Sequence, residues 1–190
     1  MRIITIITLT LLLSISLSAK KKGAPPMSSG AQGDRTCQTS KCHGENELNS
    51  DKAKITIEGL PEVYTANKIY EITLKIEQAD ARVFGFQSTV ADKNGNSIGI
   101  LTPAEGADIQ LLDAASYLGK SDRSYLTHTL AGINGPKKGV SPTWKIQWQA
   151  PDSTASASSF YFAFNAGNGN KKKTGDYIYT RSMVIPPAKD

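Results

Sequence analysis

Hydrophobic and polar positions alternate at a period of two along most of this chain, which predicts strands rather than helices. Tyr70, Ile72, Leu74 and Ile76 point one way and Glu71, Thr73, Lys75 and Glu77 the other, the mark of a strand with one face buried. Ile55 and Ile57 repeat the pattern, and Phe84, Phe86, Ser88 and Val90 alternate with Gly85 and Gln87. Trp144, Ile146 and Trp148 alternate and stop at Ala150-Pro151, and Phe160, Phe162 and Phe164 alternate with Tyr161 and Ala163. Proline has no N–H for a ladder, so Pro151 and Pro186-Pro187 close the strands before them. Asn94-Gly95-Asn96 reads as a turn, with a short strand from Ile98 to Leu101 after it. Further strands run from Tyr125 to Leu130 and from Tyr177 to Ile185. Between 103 and 120, Ile109, Leu111, Leu112 and Ala115 fit either a helical turn or an irregular crossover. About eight short strands with turns between them predict an all-β fold. The expected form is an immunoglobulin-like antiparallel β-sandwich with Trp144, Trp148 and the three phenylalanines in its core.

The N-terminal end breaks this pattern. Arg2 precedes an uncharged apolar or hydroxylic run from Ile3 to Leu17, and the small residues Ser18 and Ala19 lead into Lys20, Lys21 and Lys22. That is the form of a secretory signal peptide cleaved near Ser18 or Ala19, and the run is too short for a comfortable bilayer span. The chain therefore divides into a signal peptide over 1–19, a segment over 20–52 and the sandwich over 53–187. The middle segment starts rich in Lys, Gly, Pro and Ser with little to bury, which predicts flexibility. The expected location is outside the cytoplasm, in a periplasm, at a cell surface or secreted, with at most peripheral membrane contact.

Charge and motif content narrow the function. The formal net charge is +5, gathered at Lys20–Lys22, Lys137-Lys138 and Lys171–Lys173. These runs fall in predicted turns while the aromatics fall in strands, so no nucleic-acid partner is expected, since that needs stacking rings interleaved with a basic face. No nucleophile elbow, paired-carboxylate motif or phosphate-binding glycine loop stands out, which points to a carrier or binding module rather than an enzyme. Asn165, Asn168, Asn170 and Asp176 offer oxygen ligands for calcium, but one carboxylate among amides is a weak charge, and a glycine- and asparagine-stabilised turn accounts for the same residues.

A series of short fragments in order resembles the Reeler domain, most closely its bacterial relatives called choice-of-anchor V proteins. Gly23-Ala24-Pro25-Pro26 precedes Thr36-Cys37 and Cys42-His43-Gly44, followed by Gly59-Leu60-Pro61 with Tyr64 and by Gly85-Phe86-Gln87. Tyr125-Leu126-Thr127-His128-Thr129, Trp148-Gln149-Ala150-Pro151, Phe160-Tyr161, Asn165, Asn168-Gly169-Asn170 and Gly175-Asp176-Tyr177-Ile178-Tyr179 complete the set. The resemblance implies a secreted or surface-exposed β-sandwich and says little about activity. Reeler-like domains occur in adhesion, matrix and defence proteins and beside membrane haem-type reductases.

Bacterial members of that family often carry Cys-x-x-Cys-His where this chain has Cys37-Gln38-Thr39-Ser40-Lys41-Cys42-His43, with four residues between the cysteines. Two neighbouring thiols can each bond a vinyl group of one porphyrin, and the adjacent imidazole then faces the iron, the arrangement of c-type haem. In this reading Cys37 and Cys42 carry the thioether bonds, and His43 and His128, the second histidine of the chain, are the axial ligands. His128 is expected to share a strand face with Leu126 and Leu130; Met27 and Met183 are weaker axial alternatives. Two imidazoles leave no open iron position, which favours electron transfer with a redox partner. The same residues also fit a Cys37–Cys42 disulfide, expected of exported thiols, with His128 in a structural role, or a zinc site. The functions in view are thus an exported c-type haem electron carrier, a haem-free binding or adhesion module of the cell envelope and, third, an accessory sensing domain.

Overall fold

Among the described residues the alternating runs become nine strands: β1 (Lys54–Glu58), β2 (Ile69–Glu77), β3 (Val83–Ala91), β4 (Ile100–Pro103), β5 (Ile109–Asp113), β6 (Ser124–His128), β7 (Trp144–Gln149), β8 (Ser158–Gly167) and β9 (Tyr177–Ile185). The structure is a computed structural model that describes residues 23–38, 42–113, 121–154 and 156–188. The signal peptide expected over 1–19 lies outside these residues, and no helix among them is long and apolar enough to cross a membrane.

Every strand pairing is antiparallel. One sheet has the order β1-β2-β7-β4 and the other β5-β6-β3-β8-β9. The neighbours β1-β2-β7-β4 and β3-β8-β9 are those of the two sheets of the immunoglobulin arrangement, with β6 and β5 added beside β3. Period-two burial supplies the core: Ile72, Leu74, Ile76, Trp144, Ile146 and Trp148 face Phe160, Phe162 and Phe164 across the layers. The Trp148 ring meets Phe160 edge-on with centroids 4.8 Å apart, Tyr64 edge-on at 5.5 Å and Tyr70 stacked at 5.6 Å.

Of the ambiguous stretch 103–120, Ile109–Asp113 form β5, and Ala115 lies outside the described residues. β5 is an edge strand in which Ile109 is buried and Leu111 is half exposed, so the paired Leu111-Leu112 shows no clean alternation. β6 is shorter than the sequence pattern predicts. It ends at His128, and Leu130 lies beyond it, half exposed, ahead of a single 3-10 turn at Ala131–Ile133. His128 therefore does not share a strand face with Leu130.

Composition predicts flexibility over 20–52, yet residues 23–37 are laid against the outer face of the five-stranded sheet. The buried Gln87 amide accepts from Ser28 N at 2.7 Å and donates to Pro25 O at 2.9 Å. Asp34 pairs with Arg123 at 2.6 Å, both side chains almost fully buried. These anchors are polar, and a hydrophobicity-based reading is blind to them.

Candidate functional site

Small residues on one sheet face make a hollow. Val83 pairs with Gly167, Gly85 with Asn165 and Gln87 with Ala163, so glycine and alanine interrupt the outer side of β3 and β8 where larger side chains would fill the surface. Ala24, Pro25, Ser28, Cys37, Cys42 and His43 form one wall and the 168–176 loop the other. Between them is a cleft of about 440 Å³, within the range of ligand and cofactor sites. Cys37, Cys42, His43 and His128 all line it, although 85 positions separate His43 from His128.

His43 is held by a residue the sequence did not associate with it. Its Nδ1 lies 2.7 Å from Asp176 Oδ2, and Asp176 is buried immediately before β9. Asp176 Oδ1 accepts from Asn168 N at 3.0 Å, and the backbone oxygen of Asp176 accepts from Asn46 Nδ2 at 3.0 Å. A carboxylate on Nδ1 fixes the imidazole orientation and leaves Nε2 as the nitrogen with a lone pair, the support that metal-binding histidines ordinarily have.

The candidate calcium oxygens are spent inside the loop. Asn168 Oδ1 accepts from Asn170 N at 2.9 Å and Asn170 Oδ1 from Lys172 N at 2.7 Å, which makes this segment a side-chain-stabilised turn. Asn165 differs: its Oδ1 is buried with no hydrogen-bond partner among the described residues, and the residue lines the cleft.

His128 sits at the other side of the cleft, over the bare backbone of Gly85. A Cβ on Gly85 would stand 3.0 Å from His128 Nδ1 and 3.1 Å from Nε2, and closer still to Cε1, nearer than real Cβ atoms come. The Nδ1 atom is 3.0 Å from Phe86 N and 3.2 Å from Phe86 O. One tautomer accepts from the Phe86 N–H, and the other donates to the Phe86 carbonyl and frees Nε2.

Burial holds the His128 imidazole below its usual pKa, against a smaller opposite pull from the Phe86 backbone. The neutral ring is thus favoured in the folded state, while the unfolded chain takes up a proton near pH ~6.5. The sign follows: stability is present above pH ~6.5 and is lost as the pH falls from there through the folded pKa. In haem-free protein the urea midpoint should fall below that pH, and His128→Gln should flatten the fall. Identical pH profiles for the two proteins would contradict the assignment.

The Cys37 thiol is pushed up to about 12, by burial first and then by the nearby Cys42 sulfur. It is therefore held in its protonated form, and its Sγ lies 3.9 Å from Ser28 O. Met27 and Met183 are absent from the cleft lining. Among the described residues no group of three or more His, Cys, Asp or Glu is set to hold a metal ion, so the zinc alternative finds no cluster.

The sequence matches no protein-family model and no curated protein. Solved structures similar to the fold include the reeler domain of human F-spondin, 14% identical, covering 80% of this chain and 99% of that one with a TM-score of 0.49. The Reelin-N domain of F-spondin is 13% identical, with coverage of 80% and 97% and a TM-score of 0.49. AvmM, which catalyses macrocyclization in alchivemycin A biosynthesis, is 12% identical, with coverage of 75% and 93% and a TM-score of 0.42. Likenesses at this level carry no inference to activity.

Proposed function

We propose that the cleft holds a covalently attached c-type haem and that the protein carries electrons outside the cytoplasm to an exported redox partner. One observation carries the reading: the two cysteines and both histidines of the chain, drawn from the N-terminal segment and from β6, line a single cleft. A chance arrangement would leave His128 anywhere on the sandwich. When bound, the haem supplies one-electron chemistry whose potential depends on ligands, hydrogen bonds and burial.

The chain's own residues have separable tasks in this proposal. Cys37 and Cys42 tether the group to the N-terminal wall. His43 is oriented by Asp176 and offers Nε2 to the iron. His128 uses the tautomer in which Nδ1–H donates to the Phe86 carbonyl, 3.2 Å away, and serves as the second ligand. Gly85 leaves room for that ring. The wall over 23–37, pinned by Gln87 and Arg123, keeps water from the buried side of the cleft.

The test is production of the exported chain in a host with c-type haem maturation machinery. The expected product is coloured, and its Soret absorption survives denaturation. His128→Ala should keep the pigment but change the spectrum of the reduced protein, because the residue that would serve as the second iron ligand is gone. A colourless product would end the proposal. A colourless product two protons lighter than its reduced form would favour the second reading, an envelope binding module with a Cys37–Cys42 disulfide. What supports that reading is that Cys37 and Cys42 line the same cleft, with the Cys42 charge among the causes that raise the Cys37 pKa.

A further inference from the structure

The cleft is apolar and small-residued within and cationic at its mouth. Lys171, Lys172 and Lys173 all line it, with Val83, Gly85, Ile133 and Ala163 deeper inside. The lysines do not hang from a loose loop. Asn168 Nδ2 and Asn170 Nδ2 both donate to Thr174 O, at 3.0 and 2.9 Å, and the Lys172 N–H is bonded to Asn170 Oδ1. The backbone around the three ammonium groups is therefore clamped on both sides.

Nearby negative charge is already committed. Asp176 is engaged by His43 and Asn168, and Glu45 Oε2 accepts from Gly175 N at 2.9 Å. Among the described residues none of the three lysines takes part in an ion pair. Arg82, packed against Gly169, adds a further cation at the base of the loop. Inside, the unpartnered Asn165 Oδ1 is a polar atom left for a ligand to meet. A ligand suited to these surroundings has an apolar body and acidic groups at one end. A neutral apolar molecule would leave the cationic mouth unanswered, and a small anion would leave the interior unfilled.

We propose that Lys171, Lys172 and Lys173 bind the carboxylates of the group that fills the cleft, so that the site selects a porphyrin carrying free carboxylates over its neutral ester. The inference rests on the porphyrin reading of the cleft and assigns the residues that recognise the acid end. Lys171 and Lys172 are exposed and Lys173 is half-buried, so their combined effect is about tenfold in affinity.

The test titrates the haem-free mature chain, with thiols reduced, against protoporphyrin IX and against its dimethyl ester. Quenching of tryptophan fluorescence follows binding. The expected result is acid binding about tenfold tighter than ester, with the preference shrinking as salt is raised. The triple variant Lys171→Gln, Lys172→Gln, Lys173→Gln should lose that preference while ester affinity and circular dichroism stay unchanged. Equal binding of acid and ester, a preference that survives in the triple variant, or no binding of either porphyrin overturns the assignment. Covalent attachment is read separately by mass, so the two ideas fail independently. Attached haem without an effect of the lysines removes the rim alone, and acid-selective binding without attachment removes the covalent reading alone.

Discussion

Asp34→Ala is expected to lower the stability of the folded chain by ~3–5 kcal/mol in urea unfolding, the usual result of removing one partner from a buried ion pair. The Asp34 side chain is 0% exposed and that of Arg123 is 3% exposed. Asp34 Oδ1 accepts from Arg123 Nη2 at 2.6 Å and from the Tyr125 hydroxyl at 2.9 Å, and Oδ2 accepts from Ser29 Oγ at 2.6 Å. Arg123 also donates to Gln32 O at 3.0 Å, while its Nη1 is buried with no hydrogen-bond partner. Without the carboxylate the guanidinium remains in place, dehydrated and uncompensated. Tyr125 reports on the same environment: burial raises its hydroxyl pKa, and the Asp34 charge raises it further. The joint replacement Asp34→Leu with Arg123→Met should recover much of the loss, because no lone charge then stays buried. A loss below ~1 kcal/mol for Asp34→Ala would mean that the N-terminal wall contributes as little as an exposed pair. Residues 23–37 would then behave as the flexible arm that their composition predicts.

The second large effect is expected at Gly85. Gly85→Ala should cost ~1–3 kcal/mol, the range for inserting a methyl group into filled space. The reason is room rather than backbone freedom, because the His128 ring already occupies the position of the new Cβ. The substitution should also displace His128 from the cleft, so the haem-loaded variant should show the reduced spectrum of His128→Ala. Adding His128→Ala to Gly85→Ala removes the obstruction. The double variant should therefore be more stable than the sum of the single losses predicts. Additivity within ~0.5 kcal/mol would show that the two residues do not touch in the way described.

Much of the fold was legible because burial writes a period of two into a strand. β2, β7 and β8 each bury one face of apolar side chains, and the sequence pattern locates them closely. β5 was not legible, because an edge strand with Leu111 half exposed has no single face to mark. The candidate site was legible only in its chemically unusual letters. Cys37, Cys42, His43 and His128 stand out by type, and the structure brings them to one cleft. Their supporting residues are ordinary letters. Asp176 reaches His43 across 133 positions, and no local spacing signals that bond. Gly85 is informative by what it lacks, which becomes visible only when the His128 ring is seen above it. Gln87 and Asp34 anchor the N-terminal segment through buried hydrogen bonds, and their polar side chains suggest solvent exposure until their partners are known. The lysine run 171–173 reads as a solvated turn in sequence, and its position at the mouth of the cleft is a property of the loop fold.

The intact mass of the exported chain, purified from a host that attaches c-type haem and then denatured, is the most direct test of the central claim. The account predicts a mass increased by one haem, reduced to the bare polypeptide when Cys37 and Cys42 are both changed to serine. A wild-type mass equal to that of the bare polypeptide would contradict it.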